Sequence, residues 1–166
     1  MRSLRIVGLL AGLLLVAAPS ASAHATIELR GERPVAGTRG TLTMTIPHGC
    51  GVDRSTDRLV VRLGSAWGRV RPAAPAGWSV SVARATSGRW TITWRATAGG
   101  LPNTAVGDFT TAVRWPQAPG IYKTPTFQHC GATLMAWSDP FTTAATADAA
   151  YPPVYPVPRI QILPAG

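Results

Sequence analysis

The chain has three histidines, His24, His48 and His129, and two cysteines, Cys50 and Cys130, so any imidazole or thiol chemistry must be assembled from these positions. His24 stands apart because of what precedes it. Arg2 and Arg5 form a positive start, residues 6–18 an apolar run, and Ala21-Ser22-Ala23 a small-residue cleavage site. That is the pattern of an export signal removed from the mature protein. Cleavage there leaves His24 as the first residue, with a free α-amine. Such an amine titrates near 7.7–8.0 and an imidazole near 6.5, so both offer lone pairs around neutral pH. The amine nitrogen and Nδ1 of one residue close a six-membered chelate on a single ion, and nitrogen ligands in a tetragonal arrangement suit Cu(II), which heads the divalent affinity order. The opposing reading is a loose terminus that happens to begin with histidine. Against it, Ala25-Thr26-Ile27-Glu28-Leu29 alternates immediately afterwards, as a strand that ties the terminus down would.

The remaining ligands must come from elsewhere. Glu28 and Glu32 follow His24 in the first strand and its turn, Asp53 and Asp57 lie just beyond Cys50, and Asp108 precedes a later strand. Solvated or arginine-paired carboxylates are the rule; Glu32 gains from a turn close in sequence to His24. His48 and His129 each lie within two residues of a cysteine and read either as further copper ligands or as surface imidazoles. In an exported domain Cys50 and Cys130 read first as one disulfide, which would bring these two histidines near each other. The alternative, paired thiolates on a soft metal, needs reducing surroundings and usually a closer spacing. No Gly-x-Ser-x-Gly elbow, His-Glu-x-x-His pair or phosphate-binding glycine loop is present, which excludes the common hydrolase constellations.

The elements that must position these groups are strands. A chain of 166 residues, 46% hydrophobic and 14% charged, makes one packed domain. Its 17 glycines and 15 prolines are dispersed, punctuating short segments. Leu42, Met44 and Ile46 alternate with threonines, and Trp90, Ile92 and Trp94 alternate with Thr91, Thr93 and Arg95, each the period of a half-buried strand. Further strands are predicted at residues 25–30, 59–63, 78–84, 109–115, 122–127 and 132–137, with turn clusters between them. The expected fold is all-β, an immunoglobulin-like or cupredoxin-like antiparallel β-sandwich, with a closed barrel as runner-up. The domain plan is a signal peptide at 1–23, the sandwich at 24–140 and an Ala/Pro-rich extension at 141–166. Within that extension, 142–150 reads as a short helix or loop and 159–163 as one edge strand.

Trp90, Trp94 and Trp115 fall in strand patterns and read as core rather than as a platform for sugars. The net charge is +9 and all but one of the 16 basic residues are arginine. They are scattered singly, as at Arg54, Arg58, Arg62, Arg69 and Arg71, without the clustering of a nucleic-acid reader; adhesion to an anionic envelope surface is the residual use. No second apolar run reaches spanning length, so no transmembrane anchor is expected after cleavage, and the protein is expected to be exported, periplasmic or secreted.

One set of motifs runs in order along the chain: His24-Ala25-Thr26, Ile46-Pro47-His48-Gly49-Cys50, Pro75-Ala76-Gly77-Trp78, Gly107-Asp108-Phe109, Gln128-His129-Cys130 and Trp137. In this it resembles the YcnI-like family of exported copper-binding domains, long carried as a domain of unknown function. The resemblance implies a β-sandwich with one Cu(II) at the mature amino terminus, held by a single-histidine brace with a carboxylate and a tryptophan close by. Carried onto this chain, the brace falls on His24, the carboxylate on Glu32 with Glu28 as substitute, and the tryptophan on Trp137. The resemblance also supports Cys50–Cys130 as a structural disulfide. It implies copper homeostasis as the role, with another copper chaperone or a membrane copper transporter as partner. Asp108 departs from a glutamate common in the family, His129 is unusual there, and the carboxy-terminal anchor of some members has no counterpart. The expected protein is a copper carrier and not an enzyme; the rivals are a brace-type copper redox enzyme and a metal-free envelope-binding module.

Overall fold

The alternating segments form strands, and their order decides which ends of them meet. The computed structural model describes residues 24–51, 53–141 and 154–166; the signal read at 1–23 and the Ala-rich stretch at 142–150 lie outside the described residues. In chain order the strands are β1 (Thr26–Glu28), β2 (Arg39–Ile46), β3 (Arg58–Leu63), β4 (Gly68–Pro72), β5 (Trp78–Arg84), β6 (Trp90–Ala96), β7 (Gly107–Arg114), β8 (Gly120–Lys123), β9 (Thr126–Cys130), β10 (Thr133–Trp137) and β11 (Arg159–Ile162). They build a four-stranded sheet ordered β1-β2-β7-β4, a five-stranded sheet ordered β10-β9-β3-β6-β5 and a small pair, β11-β8. All these neighbours are antiparallel. The fold is therefore an all-β sandwich. Its sheets keep free edges at β1, β4, β10 and β5, so the barrel alternative is not formed.

The core sits between the two larger sheets. Leu42, Met44 and Ile46 on β2 are fully buried, as are Leu59 and Val61 on β3 and Ile92 and Trp94 on β6. Burying one such side chain contributes about 2 kcal/mol, and period-two alternation delivers the whole set to one face. Trp94 packs edge-on to Phe109 at 5.4 Å and donates its indole N–H to the Ala73 carbonyl at 2.8 Å. Trp67, Trp94, Trp115 and Trp137 are all fully buried and Trp90 is half-buried, which agrees with a core role for the tryptophans.

Two strand expectations are corrected. The segment 122–127 is two strands, because the chain changes sheets at Thr124-Pro125: β8 pairs with β11 and β9 with β3. Pro125 has no N–H for a ladder, and Thr124 turns its own N–H to the Pro158 carbonyl at 2.8 Å. The second correction is β4, absent from the expected strands. Only Val70 of Gly-Arg-Val-Arg-Pro faces inward, so no run of alternating apolar residues marks it. Pairing with β7, not its own composition, makes it a strand. The closing strand β11 pairs with β8 and buries Ile160 and Ile162. No helix among the described residues is long and apolar enough to cross a membrane.

Candidate metal centre

His24 is placed by its neighbour. Ala25 is buried, and β1 runs against β2 with Thr26 opposite Thr45 and Glu28 opposite Thr43. That register brings His24 level with the Pro47 end of β2, with its imidazole exposed. Across from it stands Trp137, the last residue of β10. β1 and β10 are edge strands of different sheets, so the pair bridges one open side of the sandwich. The rings lie 6.1 Å apart at 87°, edge against face.

Trp137 itself cannot move freely. It is 1% exposed, and its indole N–H donates to Gln128 Oε1 at 3.0 Å. Gln128, wholly buried on β9, donates its amide to the His48 carbonyl at 2.6 Å and to Thr56 Oγ1 at 2.7 Å. Every part of that amide is paired inside the protein, and buried polar networks that are fully satisfied are stiff. Tyr155, from the carboxy-terminal segment, packs edge-on against Trp137 at 5.2 Å. Its backbone N–H donates to Asp139 Oδ2 at 2.9 Å, which holds that segment beside the indole.

Cys50 and Cys130 are joined. The bond ties the loop after β2, which carries His48, to the end of β9, which carries Gln128. In the chain-entropy picture closing a loop of this length stabilises by roughly 4.5 kcal/mol as an upper figure.

The other residues singled out from sequence lie in different places. Glu32 is not beside His24. Its Oε2 accepts the Thr41 backbone N–H at 2.6 Å. Thr41 lies six residues along β2 from the level of His24, about 20 Å at the usual strand rise. β1 has ended before Thr41, so Glu32 supplies an acceptor to an otherwise open sheet edge. A side chain at Gly40 would meet Glu32 Oε2 and Trp115 Nε1, both at 2.5 Å, which explains the glycine. Glu28 is exposed on β1 and accepts the Thr26 hydroxyl at 3.0 Å. Asp108 accepts the Thr45 hydroxyl at 2.7 Å and pairs with Arg30.

The disulfide does not set the two remaining imidazoles on one task. His48 donates Nδ1–H to the Gly49 carbonyl, which leaves Nε2 with its lone pair. His129 faces the other side of its strand, where Arg58 donates to its Nδ1 at 2.8 Å. Burial, and then the Arg58 charge, hold the His129 pKa below the ordinary imidazole value, against an opposing pull from Asp57. Among the described residues no three His, Cys, Asp or Glu side chains are grouped to hold one metal ion. Of the residues singled out for the site, the fold brings together His24, with its ring exposed, and Trp137, which walls it on one side. Sequence reasoning missed Gln128 and Tyr155 as parts of that wall. Gln128-His129-Cys130 was noticed as a motif, but its buried amide has no signature in a strand that alternates normally; Tyr155 lay in a proline-rich run.

The sequence profile of one family, described as "Domain of unknown function (DUF1775)", matches residues 24–162. No curated protein matches the sequence. Among solved structures, the chain is similar to an uncharacterized protein from Nocardia farcinica with an immunoglobulin-like fold. The TM-score is 0.72 at 21% identity, over 86% of this chain and 99% of that one. It is also similar to the cohesin module of a family 33 glycoside hydrolase from Clostridium perfringens, with a TM-score of 0.54 at 9% identity, over 85% and 95% of the two chains. At these identities the likeness establishes the immunoglobulin-like sandwich alone.

Proposed function

Because this chain belongs to the DUF1775 family, the domain family of the YcnI-like proteins, we propose that it is an extracytoplasmic Cu(II)-binding protein that takes up or hands over copper. The ion is cargo, held at the mature amino terminus through the amine and Nδ1 of His24. The observation that carries this reading is the placement of an exposed His24 ring edge-on to a buried, hydrogen-bonded Trp137. A terminal residue without a task is usually loose, whereas this one is anchored by Ala25 and β1 against a fixed indole. Two nitrogens with open positions favour exchange over storage, since a partner's ligand can enter before His24 lets go. The Cys50–Cys130 bond fits an oxidising compartment, and export by the signal at residues 1–23 is part of the proposal. We read the site as a carrier's and not an enzyme's: Trp137, Gln128 and Thr56 bond to one another behind the ring and serve to hold it in place.

The test compares protein beginning at His24 with an otherwise identical form carrying one added residue before it. Electron paramagnetic resonance during Cu(II) titration should show one nitrogen-rich site in the first. In the second, affinity should fall by more than about 100-fold, since loss of even a supporting group behind a ligand costs 10–100-fold. Equal affinities and identical spectra would remove the amine from the site and sink the proposal. Substrate-dependent oxygen consumption by the copper-loaded protein would replace the carrier with the redox enzyme.

A further inference from the structure

The arginines that look scattered along the sequence are gathered by the fold. On the four-stranded sheet, inward positions are taken by Leu42, Met44 and Ile46 of β2, Phe109 and Val113 of β7 and Val70 of β4. The alternate positions point to the outer face, where Thr43 is buried midway along β2 and the Arg39 end is exposed. At one end of that outer face the register sets Arg39 opposite Arg114 and Arg114 opposite Gly68. Arg69 and Arg71 flank Val70 on the next strand. With neighbouring strands about 4.8 Å apart, four guanidiniums rise from three adjacent strands. All four residues are exposed. Arg114 is steered by its neighbour: a Cβ at Gly68 would meet the Arg114 Cβ at 3.0 Å and its Cγ and Cδ at 3.4 Å, so the side chain lies across that glycine toward β4. Arg39, Arg69 and Arg71 line a shallow concavity of about 260 Å³ that also includes Gly40 and Ala112, and Ala112 is small enough to leave it open.

Among the described residues these charges have no partners of their own. The single ion pair among the described residues is Arg30 with Asp108. Asp108 is opposite Thr45, toward the far end of β2. Glu32 lies against Gly40, whose Cβ direction points to Trp115 in the core, and so it is on the other side of the strand from Arg39. Five arginines elsewhere are engaged, Arg58 with His129, Arg54 with Thr133, Arg62 over Phe127, Arg84 over Trp90 and Arg159 over Phe141, whereas Arg33, Arg89 and Arg95 are without such a contact but stand singly. The four on β2, β4 and β7 have neither a hydrogen bond nor an aromatic face among the described residues. Guanidinium forks match phosphate oxygens bidentately, and uncompensated like charges side by side are held at a cost unless an anion joins them.

We propose that this end of the four-stranded sheet binds a linear phosphate-bearing polymer of the cell envelope, with Arg39, Arg69, Arg71 and Arg114 contacting successive phosphates. A polymer is favoured over a lipid surface because membrane docking adds apolar side chains to its charges, and the outer positions here carry Arg, Thr and Ala. A nucleic-acid reader would also carry aromatic stacking platforms, and none stands on this face. The site lies about 27 Å along β2 from the level of His24, eight residues at the usual rise, so it does not depend on copper.

The experiment uses inorganic polyphosphate as probe, with wild-type protein starting at His24, the triple variant R39Q/R69Q/R114Q, and R62Q/R89Q/R95Q as a control of equal charge change on the other sheet. Wild type should bind, and its log affinity should fall by about two to three per decade of salt, as expected for three to four phosphate contacts on a flexible chain. The patch variant should lose at least about tenfold in affinity and about two units of that slope, while the control stays within about twofold. R69K/R114K, which keeps the charge but not the fork, should fall between. Unchanged circular dichroism and melting would confirm that the variants are folded. Equal losses in both triples would reduce the effect to net charge; a larger loss in the control would move the site to the Trp90 side; tighter binding to phosphatidylglycerol vesicles than to polyphosphate would make the partner a membrane. Each of these, or no binding by wild type at 0.1 M salt, overturns the proposal.

Discussion

Toward the Ile46 end of β2, the indole N–H of Trp137, the amide of Gln128, the carbonyl of His48 and the hydroxyl of Thr56 satisfy one another out of reach of water. Toward the Arg39 end, four guanidiniums face solvent without a partner among the described residues. The two ends belong to the same strand and the same sandwich, yet one uses polar groups to fix a ring and the other keeps them free. Groups of the first kind hold a shape and contribute to stability; groups of the second kind contribute almost nothing to stability and act only on what arrives from outside. A site for a small ion needs the first, because its ligands must already be in place. A site for a long flexible anion works with the second, because the polymer can adjust to the charges.

This contrast can be broken by mutation. The largest effect should come from Trp137→Ala, which empties a fully buried site and strands Gln128 Oε1; a loss of about 3–5 kcal/mol is expected in urea denaturation. A change within 1 kcal/mol would mean that the indole is not a wall. Next, Gln128→Leu keeps the volume but leaves the Trp137 N–H and the His48 carbonyl unpaired in the interior, at about 2 kcal/mol. The same variant should broaden the Cu(II) resonance of protein beginning at His24, since the ring facing His24 would no longer be held.

A smaller effect is set by pH. The His129 pKa is lowered in the folded chain, chiefly by burial and then by Arg58, so the unfolded chain takes up a proton first as pH falls. The stability contributed by the neutral ring is complete above the ordinary imidazole pKa of about 6.5 and is lost as pH drops from there toward the lower folded value. H129Q should flatten this part of the stability profile, measured as melting temperature between pH 7.5 and 5; an unaltered slope would show that other groups set it. The smallest effect belongs to the arginine end: R39Q/R69Q/R114Q should shift stability by less than about 0.5 kcal/mol in either direction. A large loss there would mean that the four side chains support the sheet after all.

Much of this was legible in residues, and what was not has physical causes. β2 and β6 announce themselves because one face of each is wholly buried, which forces the period of two. β4 is silent because a strand with a single inward residue has no period to show. His24 and Trp137 could be paired only through resemblance, since they come from edge strands of different sheets separated by most of the chain. Glu32 looked near His24 because it is near in sequence, but the turn after β1 carries it along β2 instead of back. The arginine cluster escaped for the opposite reason: its members are distant in sequence, and only the antiparallel register of β2, β7 and β4 brings them side by side.

The pairing of β11 with β8 has a consequence in time. β1 and β11, the first and last strands, lie in contact, and Val35 bridges to Leu163. Folding is therefore a closing of ends, which cannot finish until the last residues are free to join and is slow compared with folds made of local contacts. During that interval β1 is paired with β2 but β11 has not yet closed against it, and the segment carrying Tyr155 has not yet packed on Trp137. On the proposed function, a copper ion arriving early would meet a terminus not yet held and one arriving late a set geometry, which would make the order of folding and metal encounter part of how selectively such a site loads.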